Sequence, residues 1–246
     1  VSLDEFSSVE EARDFILRII AQFRISQSRG VIASFDRDTY DEYLLFSRSG
    51  EGSLGGKARG LAFIESFLNR SSIWNKYKDV HITIPRTVVI TTELFDEFME
   101  TNQLYQIALS DASDEEILQA FVKAALPLRL KYDLAAFLHI ISRPLAVRSS
   151  SVLEDSHYQP FAGIYSTYMV AHQEDKQAMQ EQVEVAVKSV YASVYFASSK
   201  AYMEATSNMI DEEKMSIIIQ EICGSRYGDY FYPNISGIAR SINFYP

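Results

Sequence analysis

The segment Gly52-Ser53-Leu54-Gly55-Gly56-Lys57 constrains the chain more than any other, because it suits the interior of neither a helix nor a strand. It closes a Gly/Ser-rich stretch, Ser47 to Gly56, and the apolar spacing that follows predicts a helix from about Lys57 to Asn69. Glycines let a backbone approach a ligand closely, helix-start amides donate, and Lys57 adds a cation, so the segment suits a phosphate. It is not a Walker A loop, since Glu51 and Ala58 stand where that pattern needs Gly and Ser or Thr. The alternative is a flexible turn with a solvated lysine.

A second segment, Leu145-Ala146-Val147-Arg148-Ser149-Ser150-Ser151, reads as an apolar strand that delivers an arginine and three hydroxyls at its end. The planar guanidinium fork matches phosphate oxygens, although Arg148 could equally pair with Glu154 or Asp155. Pro160 to Thr167 places Gly163 between a proline-bearing turn and an extended run, as a mobile loop over a reactive phosphate would. Ile217 to Ile222 reads as a buried strand with a polar end, and Cys223 after it as a small buried hydrophobe. The histidines at 81, 139, 157 and 172 show no metal-ligand spacing.

Elsewhere, Ser8 with Glu11 and Ser113 with Glu116 have capping-box spacing, predicting helices over 8–27 and 113–125. Further helices are expected over 40–46, 93–99, 128–141 and, longest, 175–205. Strands are expected over 31–35, 80–84, 87–91, 164–170, 216–222, 227–232 and 237–242. Helices and strands mix without strict βαβ alternation, so the fold class is α+β. The formal net charge of −10 argues against nucleic acid as the main partner. A single cysteine excludes an internal disulfide and fits a cytoplasmic setting, and no apolar run approaches a membrane span.

In this order, GSLGGKARGLAFI (52–64), IPRTVVITTELFDEFM (84–99), LAVRSSSVLEDS (145–156), PFAGIYSTYM (160–169) and IIIQEICGSRYGDYFYPNISGIARSINFYP (217–246) resemble the phosphoenolpyruvate synthase and pyruvate phosphate dikinase family. The resemblance implies an ATP-grasp-like, two-lobed nucleotide-binding domain over 51–246, incomplete at its C-terminus. Residues 1–50 are then a helical extension from an upstream region. It implies an ATP-dependent phosphotransferase that passes phosphoryl to a histidine on another domain and on to pyruvate, with Mg²⁺ as the metal.

By the same resemblance Lys57, Arg148 and Thr167 are the catalytic residues. Gly55, Gly56, Lys57, Arg148, Ser149 and Gly163 hold the phosphates, while Gln220, Glu221, Ile222 and Cys223 frame adenine. Ser166 stands where the family usually has an acidic or similar residue. The family's acidic metal ligands fall beyond Pro246, and no histidine here has the Thr-Ser-His context of its phosphoryl acceptor. The isolated chain is therefore expected to be inactive. The competing readings are a nucleotide-sensing module joined to an upstream signalling domain, or a relative with a different phosphoryl acceptor.

Overall fold

Apolar runs long enough to be buried on both faces put two strands at the centre of a sheet: β4 (Leu145–Ser151) and β6 (Met215–Glu221). The computed structural model describes residues 6, 8–28, 32–37, 44–71, 80, 82–151, 163–206 and 213–239. β1 (Ala33–Ser34), β2 (Phe46–Ser49), β3 (Thr87–Ile90) and β5 (Thr167–Val170) complete a mixed sheet of order β1-β2-β3-β6-β4-β5. β1, β2 and β3 run parallel, whereas β6 is antiparallel to both β3 and β4, and β5 is antiparallel to β4. The class is mixed α+β.

Helices cover both faces. On one side α3 (Thr92–Thr101), α5 (Asp114–Lys123), α6 (Leu128–Ile140) and α7 (Lys176–Ser193) bury the main core with Val88, Ile90, Val147, Ile217 and Ile219. Its aromatic centre links Phe95 and Phe98 to Tyr191 at 5.0 and 5.5 Å, and Phe98 to Phe121 at 5.9 Å. Burying each such ring stabilises the fold by about 1.5–3 kcal/mol. On the other side α2 (Gly55–Ser71) packs Ala58 against Val89 and Ile218, with Phe46 and Ile84. α1 (Val9–Ser28) precedes the sheet, and α4 (Tyr105–Ala108) joins α3 to α5. After β6, a separate hairpin forms from β7 (Ser225–Tyr227) and β8 (Tyr230–Tyr232).

Both caps form as spaced. The Ser8 hydroxyl accepts the Glu11 amide at 3.1 Å, and Ser113 and Glu116 exchange a full capping box. Other expectations give way to tertiary pairing. Phe46 is a strand residue, not the end of a helix, because β2 pairs along β3, some forty residues on; most of the expected helix over 40–46 lies outside the described residues. The Gly/Ser stretch is thus half strand, Ser47 to Ser49, and half turn.

The long helix over 175–205 is two: α7 ends at Ser193 and α8 (Ala197–Thr206) begins after a turn. Apolar spacing continues through the break, but Asp114 of α5 accepts the Ala197 amide at 2.7 Å and caps the new helix. Residues 82–84 form no strand, although Ile84 is buried, and residues 237–239 are not in a strand either. Cys223 is exposed, contrary to its reading as a buried hydrophobe, because β6 ends two residues earlier.

Candidate functional site

Three strands build the turn that carries Lys57. Ser53 is its anchor: its amide donates to Thr92 Oγ1 at 3.0 Å, and its carbonyl accepts the Thr92 amide at 3.1 Å and the Ser216 hydroxyl at 2.7 Å. Its own hydroxyl accepts the Gly55 amide at 3.1 Å. At Glu51 the backbone amide donates to Glu93 Oε2 on α3, and that bond lowers the Glu93 pKa from its ordinary value. Arg129 adds to the lowering from 3.1 Å away.

The turn is then fastened to β4. Ser150 is fully buried, and its hydroxyl donates to the Leu54 carbonyl at 2.8 Å while accepting the Ala58 amide at 3.0 Å. A residue 92 positions away thereby serves as the N-cap of α2, satisfying an amide that its own turn leaves orphaned. Gly55 takes φ +68° at the same contact. Lys57 projects from the first turn of α2, and its ammonium donates to the Ser149 hydroxyl at 3.1 Å and carbonyl at 3.3 Å. Gly55 and Gly56 are buried beneath it.

Strand register adds the remaining groups. Arg148, half-buried, sits opposite Thr167 of β5 and Ile218 of β6. Directly opposed residues share a face, so Arg148 and Thr167 lie side by side there with the exposed Met169 and Ala146 next along. Ile218 of the same row packs in the core beneath α2, so this face of the sheet is the one that α2 and Lys57 share. Lys57, Ser149, Arg148 and Thr167 are thus brought together from α2, β4 and β5.

Gly163, with φ +85° and open space around it, opens the segment leading to Thr167, whereas Pro160 to Ala162 lie outside the described residues. So do Glu154 and Asp155, the alternative partners of Arg148.

Gln220 to Cys223 occupy the far end of the same face. Gln220 pairs with Ala146, three residues before Ser149, which corresponds to about 10 Å along the strand. Its amide nitrogen donates to Thr87 Oγ1 at 2.9 Å. The Glu221 and Ile222 amides are committed to the carbonyls of Arg86 and Pro144, both at 2.9 Å. A base at this end would therefore be met by carbonyls and by Cys223, not by the Glu221 or Ile222 amides.

Ser53, Ser150, Thr92 and Ser216 are the site residues that sequence reasoning did not single out by role. The serine run after Arg148 pointed toward Ser150, whereas nothing local marks Ser216. Among the described residues no three His, Cys, Asp or Glu side chains cluster as metal ligands, and no helix is long and apolar enough to cross a membrane.

The family described as "Pyruvate phosphate dikinase, AMP/ATP-binding domain" matches residues 51–245. The "Uncharacterized phosphotransferase YvkC" of Bacillus subtilis (strain 168) is 28% identical over 193 residues. That match takes in 74% of this chain and 20% of the relative, so the chain spans about a fifth of that protein's length.

Proposed function

We propose, from the premise that this chain belongs to the AMP/ATP-binding domain family of pyruvate phosphate dikinase, that it binds ATP in a dikinase-type phosphotransferase and presents its phosphates for transfer. In the finer form of this reading the phosphoryl group passes to a histidine on another domain and then to pyruvate. The observation that carries it is the convergence of Lys57 with the Ser149 end of the Arg148 strand, at 3.1 Å across 92 residues of sequence.

Phosphoryl transfer depends on position and on cations that balance charge on the phosphate oxygens. Lys57 is a mobile point charge that can exchange Ser149 for a phosphate oxygen without leaving its place. Arg148 supplies a fixed fork one residue away, and the amides opening α2 add donors. Thr167, exposed beside Arg148, offers a hydroxyl where a loop hinged at Gly163 would close. The adenine end falls to Gln220–Cys223, and the length of strand between it and Ser149 suits an extended nucleotide. The β7–β8 hairpin is the start of a second lobe, giving the ATP-grasp-like clamp.

The family's metal, Mg²⁺, takes oxygen ligands, mainly carboxylates and phosphates. The described residues around Lys57 and Arg148 offer hydroxyls and cations instead, so they do not form its site and no step is derived through it. We place 51–246 in this domain and read 1–50 as an extension from an upstream region.

Calorimetric titration of ATP against wild type, Lys57→Ala and Arg148→Ala tests the proposal. Each substitution is expected to weaken binding about ten- to a hundredfold, as loss of one charge-assisted contact implies. Unchanged affinity in both variants would remove the assignment.

A further inference from the structure

We propose a second binding site in this chain, for a small molecule with a phosphate-like oxyanion, at the carboxyl ends of the parallel strands β1 and β2. Such strand ends open into crevices where ligands of parallel sheets commonly sit. Here the crevice is a cavity of about 260 Å³. Arg37 follows β1, Arg48 lies on β2 and Arg129 on α6, and all three line it. Three guanidinium forks from three separate elements are an arrangement suited to a tetrahedral dianion.

The acids nearby do not cancel that charge. Arg48 pairs with Glu51 at 2.8 Å, but the Glu51 side chain is 68% exposed. Arg129 pairs with Glu93 at 3.1 Å, with both side chains nearly half exposed. Solvent-side pairs of this kind contribute little and yield readily to a bidentate dianion. Asp133, in contrast, is buried and held by the Ser49 hydroxyl at 2.6 Å. Arg37 lies over the Tyr132 ring at 5.5 Å, which fixes its plane without consuming its donors in an ion pair there. Asp36 provides an acceptor for a hydroxyl on the same ligand.

The cavity is below the usual range of about 300–1,000 Å³ for drug-sized ligands, which fits a small metabolite and not a second nucleotide. None of Lys57, Arg148 and Thr167 lines it, but Gly50 and Glu51 do, and they begin the turn that carries Lys57. An oxyanion that draws Arg48 from Glu51 would thus loosen one tether of the nucleotide-facing turn.

Titration with inorganic phosphate at constant ionic strength tests the site in wild type, Arg37→Gln and Lys57→Ala, with thermal unfolding of each variant read first. Saturable binding in about the millimolar range is expected for wild type. Arg37→Gln should weaken it at least about tenfold, and Lys57→Ala should leave it unchanged. Should Arg37→Gln unfold, Arg48→Gln replaces it with the same expectation. Absence of saturable binding to wild type overturns the proposal. So does any result in which Lys57→Ala costs as much affinity as the arginine variant, because phosphate would then be entering the nucleotide cleft or binding without a site.

Discussion

Gly55 and Ser150 interlock: Gly55 turns through φ +68° so closely over Ser150 that a β-carbon on it would fall on the Ser150 carbonyl. Both the backbone conformation and the space therefore demand glycine. Gly55→Ala is expected to lower stability by about 1–3 kcal/mol, because strain and backbone collision add. It should also weaken ATP binding by moving Lys57. A thermal melt and an ATP titration of this variant, close to wild type in both, would show that the turn can slide off β4.

Ser150 makes its two bonds where water does not reach. Ser150→Ala leaves a buried amide and a buried carbonyl without their partner, at a cost of about 1–3 kcal/mol in chemical denaturation. Gly60→Ala, on the open side of α2 with nothing near its β-position, serves as the control and should be neutral or stabilising by up to about 1 kcal/mol. If the two variants behave alike, the remote cap contributes nothing.

Glu93 gives the turn a dependence on pH. Its carboxylate accepts the Glu51 amide and pairs with Arg129, which holds its pKa below the ordinary 4.5. A depressed folded-state pKa contributes stability that is present above the unfolded value and lost as pH falls through the folded one. The side chain is 43% exposed, so solvent screening limits the effect to a few tenths of a kcal/mol. Glu93→Gln should therefore flatten the stability profile below about pH 4.5 and change little at pH 7. Superimposable acid profiles for the two proteins would exclude the role.

Tyr191 stands fully buried among Phe95 and Phe98, and its hydroxyl finds no hydrogen-bond partner among the described residues. Burial alone pushes its pKa far above the usual value. Tyr191→Phe keeps the ring and removes an unsatisfied polar group, so it should be neutral or stabilising by up to about 1 kcal/mol. A loss of more than about 1 kcal/mol in denaturant unfolding would mean that the hydroxyl is satisfied.

The elements legible in the sequence are those whose causes are local. The Ser113–Glu116 capping box needs only residues three apart, and it formed as spaced. The helix start at Lys57 and the strand ending in Arg148 are likewise carried by composition over a few residues. Glycines at 52 and 55 marked a turn that indeed takes positive φ at both.

Distance along the chain hid the rest. Apolar spacing alone cannot tell that α7 ends at Ser193, because the carboxylate that caps the next helix comes from Asp114, 83 residues earlier. The Phe46–Ser49 strand exists because Thr87–Ile90 lies ready to pair with it. Residue types and local spacing thus determined by themselves which cations and hydroxyls the chain carries and where its turns fall. Only the tertiary structure set Lys57 against Ser149, Arg148 beside Thr167 and Ser150 over the start of α2. Those contacts are hydrogen bonds and strand registers between segments whose sequences carry no record of each other.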